Sequence, residues 1–572
     1  MIWWNSSWLY RNSYRIKENS NSTLSEYQIN ITLDTQNLIN QGKMNSTCRD
    51  IRIADSSLKP LDFYIQNSSY NGCNTTKTQI WVKLNSLSAN KNSLIYAYYG
   101  NNNVNSLSNE YSTFSYSGFE NLYYVISGNI TTVDVVSFVN NNNVSNGTNY
   151  VSLNKGAVTA FNVNQTGIIS SKAPIFAAGD ENAVDTLVPI SFAGTEFTYA
   201  VNRYNDLWHI YSPFGDAQVC VYAGANGLGW NLVNTCVTVN KSTATTITRN
   251  IGSAASSTTQ ASTDAVLVNS TYPILVTHST DSTTDAFALY PASNDWWGVP
   301  STLMTIGVLK DNTNIQVYYS NGTNVNYAKN HGDNIYVSGF STGGQGPAVH
   351  VISDKPLGIT QEADQDGAEM TTFLPETELG TEYFLPYTAS YIAVSATYPN
   401  TNCTLYDNLG SVLSSALTGS NSRPFPNKWY YGPTQSGNNI PAGSRLKCSE
   451  PVFAYYEQYG GGGNADEHNI WSIKSSRKFA SSAPTQIEKG SEEKFIERNI
   501  SETNVNGMYS FIFNTTSNTI GNYTAVTLAE NSNYNNGTAQ TNFEILSSLP
   551  QQAPSIILTN PGNNTFQNIS AI

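Results

Sequence analysis

"VHVISDKPLGITQE", Val349 to Glu362, reads as an apolar strand that meets a proline at Pro356 and continues beyond it as a second apolar strand. Proline has no N–H to give to a β-ladder, so such a run must bend or leave the ladder there. The same pattern recurs in "IISSKAPIFAAG" at Pro174, "VLVNSTYPILVTHS" at Pro273 and "LKCSEPVFAYYEQ" at Pro451. In each, one strand ends, Ser stands three residues before Pro (Cys448 in the last copy), and a second strand begins. The prolines lie roughly ninety residues apart, the size of a large repeating β unit.

Two further landmarks keep this order. "VPISFAGTEF" and "LPETELGTEY" place Gly194 and Gly380 five residues beyond Pro189 and Pro375, and "LYPASNDWWG" keeps the Pro and Gly298 with a longer insert. The hairpins "AQVCVYAGANG", "TNIQVYYSNG" and "TNCTLYDNLG" align at Tyr222, Tyr318 and Tyr406. The expectation is an all-β chain in which residues 116–484 hold four copies of one unit, each of four to six short strands. A propeller-like ring removes exposed edges and is preferred, with a row of tandem β-sandwiches as the alternative. In the ring, the stretch from about 121 to 165 would share a blade with "NADEHNIWSIKSSRKF" and latch the two ends.

An acidic turn follows each proline strand: Asp180, Glu181 and Asp185; Asp281 and Asp285; Asp364, Asp366 and Glu369; Asp466 and Glu467. Carboxylates at one place in every copy of a charge-poor chain suit a structural Ca²⁺, for which Asp364, Asp366 and Glu369 are the candidate ligands. The competing reading is that Asp and Gly are ordinary turn-formers. No bidentate Glu stands at the twelfth position of an EF-hand loop.

Residues 1–115 alternate short β-type runs with Asn/Ser turns, the pattern of a β-sandwich. "WWNSSWLYR", "CRDIRIAD", "IWVKL" and "SLIYAYYGNNNVNSLSN" follow one another in this segment. In that order they resemble a module of unknown function from secreted and surface proteins of archaea and bacteria. The resemblance implies an extracellular sandwich and no catalytic residues. Trp3, Trp4 and Trp8 form either a sugar-stacking platform or a cover for one end of the core.

The middle region, about 160–480, resembles the N-terminal repeats of IgGFc-binding-protein-like surface and mucus proteins, on S-x-x-P, an acidic turn and L-P…L-G-x-x-Y. That likeness implies an adhesive or binding role; immunoglobulin binding is not carried over, because no residue set for it matches. Residues 485–548 read as an immunoglobulin-like sandwich that resembles microbial stalk repeats. Residues 549–572 read as a linker and the start of a further such domain, which predicts that the natural chain runs on past Ile572.

Composition points outside the cell. The chain of 572 residues is 12% charged with a net charge of −13, is 12% aromatic, and shows no basic–aromatic stripe, so nucleic acid is a poor partner. No apolar run approaches the ~18 residues of a membrane span. Six cysteines fall into the near pairs Cys48–Cys73, Cys220–Cys236 and Cys403–Cys448 without a C-x-x-C, which predicts three disulfides. About twenty glycosylation sequons occur, among them Asn45, Asn143, Asn146, Asn269, Asn321, Asn402, Asn514 and Asn536.

Catalytic templates fail: there is no G-x-S-x-G, no H-E-x-x-H and no phosphate loop, and the five histidines are scattered. The expected function is non-enzymatic: a secreted, glycosylated adhesive or structural envelope protein, of the kind that builds archaeal surface layers. Its partners would be surface glycans, surface proteins or other copies of itself. A carbohydrate-binding role using Trp296 and Trp297 as platforms is the alternative, and a glycan-active enzyme the third reading.

Overall fold

Each Ser-x-x-Pro segment is a bend in a strand shared between two lobes of sheet. In the computed structural model, residues 349–353 of the third copy pair with Ser293–Gly298 and Thr313–Tyr319. Residues 357–362 of the same strand pair with Leu303–Val308, and 360–362 also with Met370–Thr372. Residues 354–356 make no ladder pair, as expected for a stretch ending in proline.

The serine has a local task. Ser353 Oγ donates to Lys355 O at 2.7 Å, Ser270 Oγ to Tyr272 O at 2.6 Å, and Ser171 Oγ to Ala173 O at 2.6 Å. In each case the hydroxyl satisfies the carbonyl just before the proline, which the broken ladder leaves without a partner. In the fourth copy Cys448 takes the serine's place and is bonded to Cys403 on the neighbouring strand.

The other copies repeat this plan. Ala265–Thr280 pairs with Ala217–Ala225 through its first half and with Asn205–Tyr211 through its second. Arg445–Gln458 does the same with Asn402–Tyr406 and Ala389–Ala396. In the first copy the strand is interrupted, and Ile168–Ser171 and Ile175–Gly179 lie in separate sheets. The connectors agree as well: Val188–Pro189 and Leu374–Pro375 each lead through a single 3₁₀ turn into Gly194–Ala200 and Gly380–Phe384. Among the described residues the second, third and fourth copies hold seven, eight and seven strands, more than the four to six expected, because the bent strand recruits partners to both halves.

The copies touch in a cycle. Tyr124 of the first stacks near Tyr211 of the second at 4.2 Å. Thr305 Oγ1 of the third donates to Ala200 O of the second at 2.9 Å. Phe373 of the third meets Phe453 of the fourth at 6.1 Å. Tyr387 Oη of the fourth donates to Ala178 O of the first at 2.7 Å, and Phe138 packs edge-on against Phe384 at 5.6 Å. A row of separate sandwiches would leave the fourth copy away from the first, so the ring is the better description, although each member is a two-lobed unit rather than one blade. Of the expected latch, Glu467–Ile470 pairs with Arg445–Gln458 of its own copy, and the rest of that stretch lies outside the described residues.

The N-terminal segment is a sandwich. One sheet holds Leu24–Leu33, Thr78–Leu87 and Phe63–Ile65; the other holds Arg52–Asp55, Asn92–Tyr99 and Tyr10–Glu18. Tyr14, Ile16, Ile29, Ile31, Ile80 and Val82 are buried between them. The fourth strand of the second sheet is Thr485–Lys494, antiparallel to Tyr10–Glu18. This corrects the boundary at 485, because those residues complete the first sandwich instead of opening a stalk domain. Ser555–Leu558 pairs with Tyr509–Ile512, and the rest of residues 549–572 lies outside the described residues. Gly521–Asn531 and Tyr534–Ile545 form a hairpin.

The structure describes residues 3–18, 23–66, 72–119, 121–124, 132–163, 167–179, 187–200, 205–225, 229–250, 265–280, 286–341, 343–362, 370–432, 439–459, 467–470, 485–494, 509–512, 521–531, 534–545 and 555–558.

Candidate functional site

Charged groups are scarce in this chain, and the third and fourth copies meet over a cluster of them. Trp297 and His350 are cross-strand partners, and their rings stack at 3.7 Å. Asp295 lies two residues before Trp297, on the same face of the strand. Its Oδ1 accepts from Trp297 Nε1 at 2.8 Å and lies 3.0 Å from His350 Nε2. The other ring nitrogen, Nδ1, lies 2.7 Å from Pro424 O of the fourth copy. A carboxylate and a carbonyl only accept, so the ring makes both contacts together when both nitrogens carry protons.

Arg423, beside that proline, reaches back across the junction. Its guanidinium pairs with Glu376 Oε1 at 2.9 Å, donates to Tyr398 Oη at 2.7 Å and lies 5.4 Å from the Trp297 ring. Burial opposes ionisation of Asp295, but the hydrogen bond and charge of His350 outweigh it and hold that carboxyl below its ordinary range. Glu376 is pushed up, by burial first and then by the Asp295 charge. Nearby, the Lys428 ammonium donates to Gly344 O and Gly346 O of the third copy, and burial lowers it to about 8. The cluster can hold a proton and clamp two copies together. Among the described residues no group of three or more His, Cys, Asp or Glu is arranged to hold a metal ion.

The junction between the fourth and first copies is built alike, with Glu382 between Lys155 at 2.9 Å and Arg445 at 2.5 Å. Lys310 and Glu196 pair at 3.0 Å between the third and second.

The proposed sugar platform is corrected by this geometry. Trp296 and Trp297 are 1% and 0% exposed, with their N–H groups bound to Ser293 O and Asp295. Neither offers a face to a ligand. Trp8 is buried and Trp3 and Trp4 half-buried over Tyr96 and Tyr98, so the tryptophan-rich opening covers the sandwich. Asp364, Asp366 and Glu369 lie outside the described residues, as do Asp180, Glu181, Asp185, Asp281, Asp285 and Asp466.

All three expected disulfides are formed. Of the sequon asparagines, Asn321 and Asn402 are exposed, while Asn45, Asn143, Asn146 and Asn269 are half-buried. Asn45 and Asn321 each accept from the backbone N–H and hydroxyl of their own sequon threonine, in an Asx turn. Asn146 Nδ2 donates to Asn162 O at 2.9 Å. The side chains of Asn514 and Asn536 lie outside the described residues.

Sequence reasoning passed over Asp295, His350, Glu376 and Arg423. His350 was one scattered histidine and Arg423 one arginine in a loop, and no local spacing connects them.

The chain is thus an all-β protein whose N-terminal sandwich precedes a ring of four two-lobed units. A family model described as a domain of unknown function, DUF2341, matches residues 47–125. In that stretch Asp50 of "DIR" accepts from Gly100 N of "YYG" at 2.8 Å. Gly100 has φ +94°, and a Cβ there would come within 2.8 Å of Tyr10, so the two ends of the pattern depend on each other. No curated protein matches the chain. Among solved structures it is similar to a protein of glycosyl hydrolase family 38 from Enterococcus faecalis, at 7% identity and TM-score 0.14, over 74% of this chain and 58% of that one. A likeness at that score carries no argument. Among the described residues no helix is long and apolar enough to cross a membrane.

Proposed function

We propose that this chain is a secreted, glycosylated surface protein that acts by adhesion or assembly and not by turnover. One observation carries the reading: charged side chains pair at the junctions between ring members, while the outer edge strand of the fourth copy, Val412–Leu417, carries no charge and exposes apolar side chains. Glu196, Glu376 and Glu382 face Lys310, Arg423 and Lys155 across or beside a junction. On the outside, Val412 and Leu417 are 58% and 62% exposed on an edge strand free of charge, and Leu409, in the turn before it, is 88% exposed. Exposed apolar edges of that kind are contact surfaces. Three disulfides favour an oxidising compartment, and Asn321 and Asn402 are exposed sequons open to glycans.

The test uses the purified full chain, imaged by electron microscopy and applied to immobilised envelopes and a glycan array. Ordered assemblies or saturable surface binding, weakened by Val412→Asp with Leu417→Asp, are expected. A protein that binds nothing, stays monodisperse and degrades a polysaccharide would overturn the reading.

A further inference from the structure

The strand that completes the N-terminal sandwich follows the fourth copy in the chain, and its attachment has the form of a recognition site. Of Thr485–Lys494, Ile487 is the apolar residue packed against the core of the sandwich, and the neighbouring side chains 486 and 488–490 are exposed. Gly490 lies at the bulge opposite Ser13, where a Cβ would fall 2.1 Å from Ser13 Oγ. Glu492 pairs with Lys43 and accepts from Tyr99 Oη at 2.6 Å. Glu493 pairs with the fully buried Arg11 at 2.6 Å. The edge therefore reads four features in order: an apolar residue, a glycine, and two adjacent carboxylates set against an arginine and a lysine.

We propose that the outer edge of Tyr10–Glu18 is a strand-acceptor site, and that a second copy of this chain supplies residues 485–494 to it, joining copies by strand exchange. The charge complementarity is specific to this segment, so a neighbour's identical strand fits as the chain's own does. Exchange keeps every ladder bond and both ion pairs and leaves the core intact, because Ile487 alone enters it. The chain between Ile470 and Thr485, residues 471–484, is long enough to span up to ~50 Å. In dilute solution the tethered strand has the advantage of effective concentration, while in a packed layer neighbours compete with it. This inference rests on the surface-assembly reading and gives it a joint.

The test uses two full-length variants, Arg15→Cys and Glu488→Cys, at exposed positions that face each other in the register. Incubated together at high concentration under mild oxidation, they should form a heterodimer whose cross-linked peptide joins positions 15 and 488. Adding Gly490→Val to the donor should abolish it. Monomers alone, with the double variant closing its bond within one chain, would overturn exchange. If the double variant fails to close as well, the acceptor edge itself is wrong. Failure of the heterodimer with envelope binding retained would sink the exchange and spare the adhesive reading.

Discussion

Arg11 and Glu493 are 482 residues apart in the chain, and their side chains meet at 2.6 Å. Arg11 is fully buried, enclosed by Trp3 at 4.5 Å and Tyr96 at 4.0 Å and bonded to Tyr98 Oη at 2.9 Å. Removing a partner from a buried ion pair leaves a charge in an apolar site and costs roughly 3–5 kcal/mol. Glu493 is itself 29% exposed, so the lower end applies. Glu493→Gln should lower the stability of the N-terminal sandwich by about 3 kcal/mol, read from its urea transition. An unchanged midpoint would show that the strand does not hold the sandwich closed.

The second and third copies meet with no room for a side chain. A Cβ at Gly358 would lie 1.6 Å from Thr198 O, and one at Gly307 2.5 Å from Tyr199 O. Backbone cannot rotate aside, so Gly358→Ala should exceed the ordinary overpacking cost of about 1–3 kcal/mol. Thermal unfolding is expected to show the ring melting well below the wild type while the sandwich is unaffected. A wild-type melting curve would place the copies further apart than described.

Asp295 and Glu376 respond to acid in opposite senses. A carboxyl raised on folding opposes the fold at neutral pH and ceases to do so as pH falls through its raised value. One lowered on folding stabilises the fold above its unfolded value and loses that contribution as pH falls through the lowered one. Acidification should therefore first raise the Tm, above the ordinary Glu range, as Glu376 takes its proton. Below the ordinary Asp range it should lower the Tm, as Asp295 is protonated. Glu110 and Glu457, raised first by burial, act in the same sense as Glu376. In Tm measured against pH, Glu376→Gln should shrink the first limb and Asp295→Asn the second. A Tm that falls steadily from neutral pH in all three proteins would contradict the assignment.

The repeat was legible because its landmarks are backbone necessities. Proline must break the ladder, and a hydroxyl three residues earlier caps the carbonyl that the break exposes, so both are written in the local sequence. The disulfides were legible from spacing alone. The burial of Trp296 and Trp297 was not, because Ser293–Gly298 lies in a junction and both its faces are covered, one by a copy that begins more than eighty residues later. The place of Thr485–Lys494 was hidden for the same reason: its partner is Tyr10–Glu18, and nothing local to either strand names the other. The clamp of Asp295, His350, Glu376 and Arg423 exists only once the third and fourth copies meet.

Ring closure is tested most directly at the contact between the first and fourth copies, where Lys155 Nζ and Glu382 Oε1 lie 2.9 Å apart. Zero-length carbodiimide coupling of the monomer, followed by peptide mass spectrometry, should yield an amide between Lys155 and Glu382, lost in Lys155→Arg. Cross-links confined to copies adjacent in sequence, with none between 155 and 382 in a folded monomer, would mean an open row and contradict the ring.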